Sequence, residues 1–411
     1  MRLAAILILS SFSLRADGIS QAEYKTRRLE LRKSLDGMMV LFGASEPDDL
    51  HYSFFQESNF LYLSGWREPD AVMMLTPREE ILFLPPRNAQ QENFTGRKTL
   101  AEDADAVEKT GFERVLPRAA IESNFLRLLE SAHRVYTISS DSRAQKLMNF
   151  AAFHEHAEAG PEIARLRAIK SPAEIALMEK SANATIPAHL AAWKKIKPGI
   201  YEYEIGAAMT NVYFDRGCER SAYAPIVGSG PNSVILHYMA NRRRVDRGEV
   251  VLMDVGAECS DYATDVTRTV PAGGKFTPRQ REIYDIVLGA QKAAIAAVKP
   301  GALWRGGKNT LQQIAYDYIN SHGKDLHGDS LGKYFTHGVG HFVGLDVHDP
   351  GDLNWPLRSG MVITIEPGVY LPEENIGIRI EDTLLVTEDG SRNLSGALPR
   401  EAAEIEKLVG K

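Results

Sequence analysis

The sequence predicts an α/β N-terminal domain followed by an α+β domain built on a curved, mostly antiparallel sheet. Three observations carry that prediction. The chain has 411 residues, enough for two or three domains at about 100–200 residues each. Before residue 159, short apolar runs alternate with helical patterns. After residue 161, strands and helices mix without a regular βαβ rhythm. The composition is 44% hydrophobic and 25% charged, which excludes disorder, collagen-like repeats and a disulfide scaffold. The formal net charge of -6 argues against a nucleic-acid partner, which calls for a basic face.

The elements follow in order. Residues 1–16 begin with Arg2, continue through an apolar run at 3–9 and end on the small Ala16. They resemble a secretory signal and are shorter than the roughly 17–25 apolar residues of a membrane span. The expected location is therefore secreted or periplasmic, and cytoplasmic if the segment is simply an N-terminal helix. No other stretch is long and apolar enough to cross a membrane. The N-terminal domain is expected over 17–160. Within it, residues 38–42 read as a buried strand, and 71–75 and 81–84 as a strand–turn–strand unit around Pro77. Helices are expected near 101–109, 118–132 and 141–153, with a strand over 134–139. The boundary falls near Ala159-Gly160-Pro161, and the second domain is expected over 161–411. Ser171, Pro172 and Glu174 form a helix start: a capping hydroxyl, a proline in the first turn and a carboxylate that bonds back to the cap. Ile175, Met178, Ala182, Ile186, Leu190 and Trp193 continue at helical spacing until Pro198-Gly199. Cys218 and Cys259 form no zinc motif and read as two buried free thiols, with a disulfide the alternative in an oxidising compartment.

Phosphate-binding loops and a Gly-x-Ser-x-Gly elbow are absent from the sequence. The histidines are more informative. His337, His341 and His348 fall within twelve residues, interleaved with Gly338, Gly340 and Gly344. Glycines at that density favour a loop or bulged strand beside a ligand, and imidazoles ligate metals. Acids stand where apolar strands should run. Asp254 ends the run at 249–255, and Asp265 lies on the return strand. Folding this hairpin about Cys259 and Ser260 sets Asp254 opposite Asp265, with Cβ atoms about 4.5–5.5 Å apart. Two carboxylates that close repel unless a cation or a proton lies between them. Glu366 ends the apolar run at 361–365, and Glu381 follows Gly377-Ile378-Arg379-Ile380. Four such acids and a histidine cluster make a metal site the economical explanation. Without sulfur, the ligand set suits Mn²⁺, Mg²⁺, Co²⁺ or Fe²⁺, with Zn²⁺ an alternative. Bridging carboxylates suggest two ions, about 3.5–4 Å apart in sites of this kind.

These residues resemble the pita-bread metallopeptidases, in the branch of the Xaa-Pro aminopeptidases (aminopeptidase P) and prolidases. The resemblance covers roughly residues 20–400. Asp254, Asp265, His341, Glu366 and Glu381 match that family's metal ligands in order, and the segment 55–69, Phe-Gln-Glu-Ser-Asn-Phe-Leu-Tyr-Leu-Ser-Gly-Trp-Arg-Glu-Pro, resembles its N-terminal signature. The resemblance implies two divalent ions, Mn²⁺ foremost, with Co²⁺, Fe²⁺ and Zn²⁺ as alternatives. Asp254 would hold one ion, His341 and Glu366 the other, and Asp265 and Glu381 would bridge. A bridging hydroxide would attack the carbonyl before proline, with Glu366 as proton shuttle. His237 and His348 would bond the substrate carbonyl and oxyanion, His337 would line the proline pocket, and Arg379 would orient Asp254. Asp349 would support the site from behind. The implied partner is a peptide with proline in second position, and a homodimer or homotetramer is expected. A dipeptidase (prolidase) and a non-catalytic relative are the alternatives.

Overall fold

A computed structural model of the chain describes residues 18–47 and 53–410. The proposed export segment, residues 1–16, lies outside the described residues. The N-terminal half holds one six-stranded mixed sheet, in the order Arg114–Pro117, Glu80–Leu84, Val72–Leu75, Met38–Phe42, Arg134–Thr137, Glu155–Glu158. Side chains on a strand alternate between faces, and the central strand shows the result. Met38, Val40 and Phe42 pack with Phe125, Leu128 and Leu147 of the helices Ile121–Leu129 and Ser142–Met148. Met39 and Leu41 face the other way, toward Leu31 of the helix Gln21–Ser34 and Phe60 of the helix Ser58–Ser64. Helices on both faces of a largely buried sheet make this half α/β, as expected.

Several expectations are corrected here. The helix expected near 101–109 is only the short turn Ala106–Thr110, closed by the left-handed Gly111. The strands Arg114–Pro117 and Glu155–Glu158 went unread because both are short edge strands that are only partly buried. The helix Ser58–Ser64 carries no amphipathic stripe, since Phe60 through Ser64 are all buried, so its period is invisible.

The second half is α+β. The helix Pro172–Lys195 starts with the expected capping box between Ser171 and Glu174, worth about 1 kcal/mol. It packs against the helix Glu202–Asp215, and Pro278–Ala297 packs against Leu311–His322. The strand pairs in this half are antiparallel. The strands Ile226–Ser229, Val250–Val255 and Val266–Pro271 form one unit, and Val362–Ile365 with Asp382–Val386 form another. The face of the first sheet that carries Met39 and Leu41 shares its apolar cluster with Tyr262, Val343, Leu345 and Val362, so the two halves meet across a continuous apolar seam.

The hairpin register differs from expectation by two residues. Asp254 pairs with Thr267, and Glu258 with Ala263. The turn is centred on Ser260 and Asp261, both at positive φ (53° and 68°), which is the requirement of a tight type I′ hairpin. A one-residue slip would turn every side chain to the other face. A two-residue offset does not, so Asp254 and Asp265 still share a face. The cysteines are also corrected: Cys218 and Cys259 are disulfide-bonded, with Cα atoms 4.2 Å apart. The strand Arg220–Ser221 pairs with Ala257–Cys259 through Glu258 and Arg220, and extending that register brings residue 259 alongside residues 218 and 219.

Candidate metal centre

Asp254 lies within the strand Val250–Val255, and Asp265 stands just before Val266–Pro271. Glu366 follows Val362–Ile365, and Glu381 precedes Asp382–Val386. His341 enters from the glycine-rich loop, whose Phe342 makes a bridge to Ile363. At Gly340 the chain runs so close to the Thr364 carbonyl that a Cβ would collide with it, so only glycine lets His341 reach this depth. The structure therefore brings together the four acids and the imidazole singled out from the sequence. Asp265, His341 and Glu381 each offer a donor atom within 4.8 Å of the others.

The protonation pattern shows what these groups lack. His341 Nδ1 lies 3.0 Å from the carbonyl of Phe342. A carbonyl can only accept, so Nδ1 carries a proton and Nε2 is the ring nitrogen turned into the site. Nε2 faces Asp265 Oδ2 at 3.3 Å and Glu366 Oε1 at 3.4 Å, so one imidazole nitrogen and two carboxylate oxygens converge on one point. Glu381 Oε2 accepts from Thr267 Oγ1 at 2.6 Å, while its Oε1 is buried without a partner. Burial, and then the neighbouring charge of Asp265, push the Glu381 carboxyl well above the usual range. Asp265 is likewise pushed up, first by burial and then by Asp254 and Glu366. Burial alone would raise Asp254 too, but the Arg379 guanidinium, 2.5 Å away, and the Tyr223 hydroxyl hold it below. A set of oxygen and imidazole donors with missing positive charge fits divalent cations.

Two further residues complete the shell. The Tyr223 hydroxyl sits between Asp254 Oδ1, at 2.5 Å, and Asp265 Oδ1, at shorter range. Sequence reasoning missed it, because Tyr223 lies in an irregular stretch with no periodic signal. Tyr370 links two residues that were singled out. Arg379 Nη1 donates to its hydroxyl at 2.7 Å, so the hydroxyl donates onward to His337 Nε2 at 2.8 Å. His337 Nδ1 donates to the Gly338 carbonyl, and burial lowers the ring's pKa, so His337 is neutral. His348 stands edge-on to His341 with ring centroids 4.2 Å apart, and burial followed by His341 lowers its pKa. His237 is exposed on the loop after Gly230–Val234, next to Leu236, whose carbonyl accepts from Arg379 at 3.4 Å.

The model of metallopeptidase family M24 matches residues 176–388, which span all of these side chains. The chain belongs to family M24. The model of the aminopeptidase P N-terminal domain matches residues 24–136. A Xaa-Pro aminopeptidase of Haemophilus influenzae is 36% identical, over 95% of this chain and 98% of that one. Human Xaa-Pro aminopeptidase 3 is 33% identical, over 96% of this chain and 87% of its own length. Among solved structures, aminopeptidase P from E. coli with the inhibitor Pro-Leu superimposes with a TM-score of 0.85 at 31% identity, covering 95% of this chain and 98% of that one. This M24 chain is thus a metallopeptidase with the aminopeptidase P two-domain arrangement. Among its described residues, no helix is long and apolar enough to cross a membrane.

Proposed function

We propose that this chain is a Xaa-Pro aminopeptidase that removes the first residue of peptides with proline in second position. The division between its domains is placed at residues 159–161. One observation carries the reading: carboxylate oxygens of Asp265 and Glu366 converge on His341 Nε2 at 3.3 and 3.4 Å, inside a chain built like aminopeptidase P. Asp254, Asp265, His341, Glu366 and Glu381 would hold two divalent ions, Mn²⁺ foremost. Ions bound there supply Lewis acidity and lower the pKa of water toward neutrality.

The chain's own residues do the rest. Glu366, held by Thr364 Oγ1 at 3.1 Å, takes the proton from the attacking water and delivers it to the departing proline nitrogen. His348 and His237 donate to the substrate carbonyl oxygen as negative charge develops there. Neutral His337 lines the proline pocket, oriented through Tyr370 by Arg379. Arg379 also fixes Asp254. The Cys218–Cys259 bond supports an oxidising compartment, secreted or periplasmic.

The test compares Xaa-Pro-Xaa tripeptides with Xaa-Pro dipeptides, with EDTA and with Mn²⁺ added back. Tripeptide cleavage, lost in EDTA and restored by Mn²⁺, is expected. Cleavage of dipeptides alone would make the chain a prolidase, and activity that survives the chelator would remove the metal reading.

A further inference from the structure

We propose that Arg167, Lys170 and Asp349 are positioning residues for His348, and that the N-terminal domain takes part through Ser58 and Asn59. The inference rests on the reading of His348 as a substrate-binding residue. Residues 342–349 form a closed loop, since the Asp349 N–H donates to the Phe342 carbonyl at 2.9 Å. The Asp349 carboxylate lies inside the loop and is buried. Its Oδ1 accepts from the Asp346 N–H at 3.2 Å and from Arg167 Nη2 at 2.6 Å. Its Oδ2 accepts from Lys170 Nζ at 3.1 Å. A Cβ at Gly344 would sit 2.6 Å from that same oxygen, so the loop closes over the carboxylate only because residue 344 is glycine. His348 is bonded to Asp349 in the chain, so whatever fixes the carboxylate fixes the imidazole's root.

The guanidinium reaches beyond the loop's interior. Arg167 Nη2 also donates to Asp346 Oδ2 at 2.7 Å, and its Nη1 donates to Asn59 Oδ1 at 2.8 Å. Ser58 Oγ donates to Asp346 Oδ1 at 2.6 Å. One planar group, from the helix Gly160–Arg167, thus ties two carboxylates of the active-site loop to the helix Ser58–Ser64 of the N-terminal domain. Simple anchoring does not require this arrangement. Phe342, Val343 and Leu345 already bury the loop by apolar packing, and buried ion pairs add little net stability for what their desolvation costs. What a guanidinium fork adds is direction, which a lysine cannot reproduce. The cluster is therefore matched to holding His348 at a fixed angle to His341.

The test is a double-mutant cycle on the full, metal-loaded protein, read with an Xaa-Pro-Xaa tripeptide. Arg167→Lys keeps the charge and loses the fork. It should lower kcat about 10-fold or more, with KM and metal content within about 2-fold of wild type. In a His348→Ala background the same substitution should change kcat less than about 2-fold, because the residue it acts through is gone. Amide hydrogen exchange at Gly344 and Asp349 should also quicken in Arg167→Lys. Wild-type turnover in Arg167→Lys while His348→Ala is impaired overturns the positioning role alone, as does a full multiplicative loss in the double variant. Wild-type turnover in His348→Ala overturns both this proposal and the reading of His348. If Arg167→Lys does not fold, Asp346→Asn, at the half-exposed end of the cluster, carries the same cycle with the same criteria.

Discussion

Glu381 and Asp382 are consecutive, both buried, and electrostatically opposite. Asp382 Oδ1 accepts from Arg268 Nη2 at 2.8 Å and Ser395 Oγ at 2.7 Å, and its Oδ2 from Gln291 Nε2 at 3.0 Å and Arg400 Nη1 at 3.2 Å. Burial would raise its pKa, but Arg268, Ser395 and Arg400 together outweigh burial and hold it below the usual range. Glu381 has one donor, an unpartnered oxygen and carboxylates for neighbours. Adjacent residues leave a strand in opposite directions, so one acid enters a network that satisfies it and the other enters a site that does not. A buried acid marks a metal centre only when its complement of donors is short.

Breaking the satisfied member should have the largest effect. Asp382→Ala strands the buried Arg268 and should cost about 3–5 kcal/mol in denaturant unfolding, with or without metal. A loss that disappears on metal removal would move Asp382 into the metal centre and erase the contrast.

Glu258 sharpens the comparison as an intermediate case. It is buried with one cation, Arg220, whose Nε donates to it at 2.7 Å and whose guanidinium stacks on Phe55. Burial outweighs that single partner and raises the pKa from 4.5 to about 7. Between those values the folded protein binds a proton that the unfolded chain has released, so stability is full below the lower value and declines as pH rises through the upper. The shift corresponds to about 3 kcal/mol. Glu258→Gln should remove that decline, so its stability relative to wild type should rise between pH 5 and pH 8. A constant difference across that range would show that Arg220 suffices.

The smallest effect is expected where complement is already lacking. Glu381→Gln in metal-free protein should leave stability unchanged or raise it by about 1 kcal/mol, since a repelled acid is removed. The same variant should lose the rise in Tm that Mn²⁺ produces in wild type. A markedly less stable metal-free variant would mean that Glu381 has a donor after all.

The site was legible where chemistry contradicted pattern. Asp254, Glu366 and Glu381 stood out as charges in apolar β runs, and His341 by its glycine-flanked cluster. Tyr223 was not legible, because a hydroxyl between two carboxylates arises only when separate strands meet. The link from Arg167 to Asp349 spans 182 residues and leaves no local trace. The hairpin was legible in face but not in register, since the turn depends on Ser260 and Asp261 adopting positive φ, which neither residue type demands. The disulfide was missed for a related reason: whether two cysteines 41 residues apart meet depends on how Arg220–Ser221 aligns with Ala257–Cys259.

That crosslink makes residues 218–259 a covalent ring. Tyr223, His237 and Asp254 lie within it, and Asp265 lies just outside. Even in a fully denatured chain, the ring keeps the tyrosine and the first aspartate tethered in one small volume. On the chain-entropy account, a ring of this size is worth about 4 kcal/mol to the native state. An oxidised chain therefore begins folding with part of the proposed metal shell already confined, whereas a reduced chain must gather those residues from a wider search.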